Sequence, residues 1–224
     1  MTKKLISNKS NIKGIIYDLD GTIISTLKLH EKAWLYAGKK FNIPISKEML
    51  ITQRGISNKA AASMMLPENK KYLIKEFVNA KTRYVIKNIN EVIFYPNILK
   101  VIKKLKQSGY NVWVCTSANK NFVRKVINVL KPLKKTIKNN FIWREMYKRE
   151  KPFPDILNLT IEKMNLNHSQ VYYVGDAVND FQTSVAAKIK FVYFCPDIKK
   201  RDSMIPKSIP VISSHKEIFK LLKQ

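Results

Sequence analysis

Acidic residues are scarce in this chain: 16 Asp and Glu stand against 42 Lys and Arg, a formal net charge of +26. Acids that cluster therefore carry information. Cysteine is almost missing, with Cys115 and Cys195 alone. Both lie within or at the end of apolar, strand-like runs, and no partner spacing suggests zinc. They read as buried, reduced thiols of a cytosolic protein, not as a disulfide framework. No apolar run approaches the ~18–20 residues that a membrane span needs. The first ten residues are polar and basic, without the apolar stretch of a secretory signal. A cytoplasmic protein with no membrane partner is expected. Repeats and low-complexity linkers are also absent.

Hydrophobic residues make up 45% of the 224 and aromatics 10%, enough for a real core in one large domain or a domain with a modest insertion. The positive charge would ordinarily raise nucleic acid as a partner. However, lysine outnumbers arginine about six to one and is spread along the whole chain. The densest runs, 131–138 and 199–201, contain no interleaved aromatics on which bases could stack. Nucleic acid is not expected; the field would still attract a small phosphorylated molecule.

Short β-branched and aromatic runs at 15–17, 112–115, 141–143, 171–174 and 191–194 read as buried strands. Helical stripes separate them, such as Ile98, Leu99, Ile102 and Leu105, or Phe122, Val123, Val126, Ile127 and Leu130. Alternation of this kind predicts an α/β fold with a doubly wound parallel sheet and right-handed crossovers. From about residue 26 to 90 only helical periodicity appears, including a helix after Pro67 with Leu73, Phe77, Ala80 and Tyr84 on one face. The expected organisation is a core of residues 1–25 and 91–224 with an all-helical insertion over 26–90. Ser214-His215-Lys216-Glu217 reads as a capping box that opens a final amphipathic helix.

In open parallel sheets, ligands bind beyond the carboxyl ends of the strands. After the first strand come Asp18, Asp20, Gly21 and Thr22. Thr116 and Ser117 follow the second. The fourth leads to Gly175 and Asp176, with Asp180 one helical turn on, and Lys151 is held between prolines in Lys151-Pro152-Phe153-Pro154-Asp155. Carboxylates as close as Asp18 and Asp20 repel, so a cation or a shared proton must offset the cost. Oxygen ligands of this kind suit Mg2+, while the lysine and hydroxyls suit a phosphoryl group in transfer. Blander readings stand beside these. Asp18 and Asp20 could form an Asx turn, Thr116 could cap its helix, and Asp180 could be an ordinary helix N-terminal acid. Gly21 could be purely structural.

The strings DLDGT at 18–22, CTSAN at 115–119, KPFPD at 151–155 and VGDAVND at 174–180 resemble, in order and spacing, the four motifs of the haloacid dehalogenase superfamily of phosphohydrolases. The resemblance implies a core sheet of order 3-2-1-4-5 and a small helical cap, as in phosphoglycolate phosphatases and β-phosphoglucomutases. It makes Asp18 the nucleophile that forms an aspartyl-phosphate and Asp20 the acid and then the base. Thr116 would bind the phosphoryl oxygen, and Lys151 would pair with nucleophile and phosphoryl group. Asp18, the Asp20 carbonyl and Asp176 would ligate Mg2+, with Asp180 at the metal site directly or through water. Gly21, Thr22, Ser117 and Ala118 would surround the phosphoryl group.

In the cap, Arg54 of Thr52-Gln53-Arg54-Gly55 resembles a specificity-loop residue that could grip a second anionic group, or it could be a surface arginine. His30 and Trp34 resemble a stretch of sugar-phosphatase caps, with His30 expected to pack on its helix and Trp34 in the cap core. Ser25 departs from the acid that many relatives carry at the entry to the cap. The implied protein is a Mg2+-dependent phosphatase of a small phosphorylated metabolite, of the phosphoglycolate or sugar-phosphate class, as monomer or homodimer. Three alternatives remain. A β-phosphoglucomutase-like mutase is disfavoured by Asp176 and Asp180 standing four apart where mutases carry adjacent acids. A metal-free dehalogenase is disfavoured by Asp20, and an inactive polyanion-binding relative by the intact acids and lysine.

Overall fold

The computed structural model describes residues 11–53 and 56–223. In chain order the strands are β1 (Gly14–Asp18), β2 (Ile24–Ser25), β3 (Ile93–Phe94), β4 (Asn111–Cys115), β5 (Phe141–Ile142), β6 (Val171–Gly175), β7 (Lys190–Phe194) and β8 (Val211–Ile212). The α-helices are α1 (Leu27–Phe41), α2 (Lys47–Thr52), α3 (Asn58–Met65), α4 (Ile74–Lys87), α5 (Ile98–Gln107), α6 (Lys120–Val129), α7 (Lys131–Ile137), α8 (Asp155–Met164), α9 (Val178–Ala186) and α10 (Ile218–Leu221).

Six strands form one parallel sheet in the order β5-β4-β1-β6-β7-β8. The first five core strands thus run 3-2-1-4-5, as expected, and β8 extends the sheet by an edge strand that the sequence did not announce. Two residues between turn segments are too few to show a period. The pleat divides β1 between two cores. Ile15 and Tyr17 pack with α5, α6 and α7, including Ile102, Leu105, Val126 and Leu133. Ile16 faces the other way, onto Ile156, Leu157 and Ile161 of α8.

The described elements between residues 26 and 90 are all helices, with a third apolar cluster around Trp34, Ala62, Met65 and Phe77. Here α1 runs along α4, and the rings of Trp34 and Phe77 lie 5.6 Å apart. The segment leaves and rejoins the core through an antiparallel ribbon, β2 against β3, with Ser25 opposite Ile93. That ribbon was not expected either, although β3 lies within the β-branched and aromatic run Val92-Ile93-Phe94-Tyr95. The helix after Pro67 begins as a 3₁₀ turn over Glu68–Leu73 before α4 takes over.

The capping box at the C-terminus does not form. The Ser214 side chain makes no cap bond, and Glu217 instead accepts from the backbone N–H and hydroxyl of Ser213 at 3.2 and 3.1 Å. Cys115 and Cys195 are both buried and free. No helix among the described residues is long and apolar enough to cross a membrane.

Candidate active site

Because β4, β1 and β6 are parallel neighbours, their carboxyl ends share one rim. Asp18 ends β1 in register with Cys115 of β4, so Thr116 follows beside it, and Asp176 follows β6. Lys151 enters from the segment before α8. Its Nζ donates to Asp18 Oδ1 at 2.6 Å, to Asp180 Oδ1 at 2.6 Å and to the Tyr173 hydroxyl at 2.7 Å. All three ammonium protons are thereby committed. The side chains of Lys151, Asp18 and Asp180 are 8%, 9% and 5% exposed, so the charges meet largely out of water. Burial alone would lower the lysine pKa, but Asp18 and Asp180 outweigh it and hold the ammonium well above its ordinary value.

Asp180 is anchored on both oxygens. Its Oδ1 accepts from Lys151 and from the Tyr173 hydroxyl, at 2.6 Å each. Its Oδ2 accepts from the backbone N–H groups of Asp176 and Ala177, at 3.2 Å each. Gly175 makes room for this, since a Cβ there would stand 2.6 Å from the Asp180 carboxylate. With both oxygens spent on protein donors, Asp180 supports the loop after β6 and aims Lys151. It is poorly placed as a direct ligand.

Gly21 has φ of +90°, and a Cβ on it would lie 2.1 Å from Asp176 Oδ2. Glycine is required there both for the left-handed backbone and for the approach of that carboxylate. Thr22 then donates its hydroxyl to Asp176 Oδ1 at 3.1 Å.

Asp20 is engaged from the helical segment. The Thr26 hydroxyl donates to its Oδ1, and His30 Nε2 stands 3.4 Å from Oδ2. Behind the imidazole, Lys81 Nζ reaches His30 Nδ1 at 2.7 Å and Asn58 Oδ1 at 2.9 Å. An ammonium at Nδ1 leaves the ring proton on Nε2, where it faces Asp20. Burial would raise the Asp20 pKa, yet His30, Thr26 and Lys81 together hold it below its ordinary value. Lys81 itself is 2% exposed, and burial pulls its pKa down to about 8.

Several expectations change at residue level. His30 does not merely pack on its helix but reaches across to Asp20, because its ring is backed by Lys81. Trp34 is wholly buried, with its Nε1 on Gln53 Oε1 at 3.0 Å. Thr116 is buried but does not cap α6: its Oγ1 accepts from Ala118 N at 3.1 Å. Asn119 caps that helix through Phe122 N at 2.9 Å. Ser117 is exposed and Ala118 half-buried at the same turn. Arg54 lies outside the described residues. Sequence reasoning passed over Tyr173, Thr26, Asn58 and Lys81. Lys81 carried a signal, being four residues past Phe77 on the apolar face of α4.

One ligand atom each from Asp18, Asp176 and Asp180 falls within a 4.8 Å cluster. Burial first, and then the neighbouring acids, push Asp18 up to about 7 and Asp176 well above the usual carboxylate range. Lys151 offsets only part of that negative charge. An all-oxygen donor set whose acids resist ionising together fits a hard divalent cation such as Mg2+, which would relieve the repulsion directly.

Comparison with known proteins identifies the family. The family described as haloacid dehalogenase-like hydrolase matches residues 15–194. A phosphoglycolate phosphatase of Aliivibrio fischeri is 25% identical over 191 residues, 79% of this chain and 81% of that protein. Pyrophosphatase PpaX of Bacillus pumilus is 23% identical over 205 residues, 88% of this chain and 89% of that protein. Among solved structures, a "predicted phosphoglycolate phosphatase" from Haemophilus somnus superposes with a TM-score of 0.79 at 23% identity, over 94% of this chain and 98% of that one. This last likeness speaks for the fold. The family match spans well over half of the sequence and contains all four motifs, and the chain belongs to the haloacid dehalogenase-like hydrolases.

Proposed function

We propose that the chain is a Mg2+-dependent phosphatase of a small phosphorylated metabolite, in the phosphoglycolate or sugar-phosphate class. The observation that carries the proposal is the buried lysine joining Asp18 to Asp180 beside Asp176, at the end of the central strand. Relatives described as phosphoglycolate phosphatase and pyrophosphatase support hydrolysis at phosphorus. They differ in what they act on, so the ester is assigned only by class.

In this reading Asp18 attacks phosphorus with the oxygen that Lys151 does not hold. The bond from phosphorus to the leaving oxygen breaks, and Asp20, which has to enter this step protonated against the pull of His30 and Thr26, gives that oxygen its proton, leaving an aspartyl-phosphate and an alcohol. Water then loses a proton to Asp20 and attacks the same phosphorus, freeing phosphate and the Asp18 carboxylate. His30 and Thr26 stabilise the Asp20 carboxylate between the two halves. Lys151 spreads positive charge over the transferring group, and Thr116 contributes its hydroxyl proton. Mg2+, held by Asp18, Asp176 and the Asp20 carbonyl, would supply charge neutralisation and orientation. The helical segment 26–90 acts as a cap that brings His30 over Asp20 and excludes bulk water.

The test is release of inorganic phosphate from a panel of phosphorylated metabolites, with and without Mg2+. Asp18→Asn should lower turnover by at least about 10³-fold while the protein stays folded. A variant that kept most of the activity would remove Asp18 from its role. Steady conversion of a β-sugar 1-phosphate to the 6-phosphate, without phosphate release, would favour a mutase.

A further inference from the structure

His215 belongs to no strand-end motif and comes from the last turns of the chain, yet it is 1% exposed and sits against the loop after β1. Its ring stacks on Phe194, with centroids 4.0 Å apart and planes 17° apart. Tyr17 and Tyr95 close the box edge-on, at 5.9 and 6.3 Å. Inside that box Nε2 lies 2.9 Å from the backbone carbonyl of Thr22, 193 residues away in sequence. A carbonyl only accepts, so Nε2 carries the ring proton. Nδ1 is then a bare acceptor, and it has no hydrogen-bond partner among the described residues. Burial keeps the ring neutral, with its pKa down to about 4. Leaving one buried nitrogen unsatisfied is costly, so the bond at the other nitrogen and the aromatic box must be what retains a histidine here.

Thr22 is the residue whose hydroxyl donates to Asp176 Oδ1 at 3.1 Å, and Asp176 supplies one ligand atom to the carboxylate cluster. Its carbonyl and its hydroxyl belong to one fully buried residue. The same loop is tied by Gly21 N to Ile24 O at 2.8 Å and by Ile23 N to Leu19 O at 2.9 Å. These bonds lie within the loop, whereas the His215 bond and the one from Tyr95 N to Ile23 O at 3.0 Å tie it to distant segments.

We infer that His215 is a positioning residue for the cation site: by holding the Thr22 carbonyl it aims the Thr22 hydroxyl, and through it the Asp176 carboxylate. The inference rests on the magnesium reading above and deepens it. His215 touches neither substrate nor cation and acts two contacts away. Groups that orient a ligating carboxylate are worth about 10–100-fold in metal affinity, and the lower end suits a contact at that remove.

The experiment is calorimetric titration of substrate-free protein with Mg2+, together with thermal melting in its absence. His215→Phe keeps the stacking surface and removes the donor, with His215→Leu in reserve if the larger ring prevents folding. Mg2+ binding should weaken about tenfold in a protein that melts cooperatively. His215→Gln, which restores an N–H donor, should bind within about twofold of the parent chain. Thr22→Val should weaken binding as well, and adding His215→Phe to it should cost little more, since both act through one linkage. Unchanged Mg2+ affinity in the phenylalanine variant overturns the inference. A glutamine variant as weak as phenylalanine, or fully additive losses with Thr22→Val, overturns it equally. If the parent chain itself binds no Mg2+, the magnesium reading fails first, and the two failures are thereby told apart.

Discussion

Lys151→Met is the sharpest perturbation of the site, because it deletes one charge and leaves the shape of the stem. In the native protein the ammonium faces Asp18 and Asp180 at 2.6 Å each, and all three side chains are under a tenth exposed. Removing one member of a buried ionic group costs about 3–5 kcal/mol, because the remaining charge is left uncompensated. For a chain of this size about 1 kcal/mol moves the melting temperature by roughly 2–4 °C, so a fall of roughly 6–20 °C is expected. The penalty should depend on pH with a definite sign. Asp18 already sits at about 7 in the folded protein, raised by burial against the lowering effect of Lys151. Without the lysine it rises further, so between the two values the variant's folded state holds a proton that the parent has released. Stability of the variant relative to the parent then falls as pH rises above 7. Melting curves at pH 6 and pH 9 measure this. Equal melting temperatures for the two proteins at pH 9, or a deficit that grows towards acid, would refute the charge argument.

Other outcomes follow from the same contacts. His215, at about 4 in the folded state against an ordinary 6.5, binds its proton more readily in the unfolded chain. Its stabilising contribution is complete above pH 6.5 and lost as pH falls towards 4, by at most about 3 kcal/mol. Urea midpoints at pH 7 and pH 5 should show that loss in the parent chain but not in His215→Phe. Lys81→Met strips the support behind His30 Nδ1 and should reduce turnover by about 10–100-fold; an unchanged kcat would separate His30 from the chemistry. Tyr173→Phe deletes the hydroxyl shared by Lys151 and Asp180, and should cost about 1–3 kcal/mol in denaturant unfolding. A stability equal to the parent would mean that the hydroxyl is dispensable.

Much of this protein was written into its sequence. Alternating apolar runs and helical stripes determine a parallel α/β sheet, since each buried face must find a partner. Parallel strands then carry Asp18, Thr116 and Asp176 to one rim, because their carboxyl ends coincide. Gly21 was legible as a turn residue from its place after the acids, though not as the clearance for Asp176. What the tertiary structure alone decided lies in contacts between residues far apart along the chain. Lys81 meets His30 across 51 positions and His215 meets Thr22 across 193, and local periodicity is blind to both. The strands β2, β3 and β8 carry two residues each; the equally short β5 was legible from its apolar run, whereas these three become strands only by pairing with a neighbour. Likewise, whether an acid is a ligand or a brace depends on which donors reach its oxygens: four of them converge on Asp180, a convergence set by packing and not by spacing.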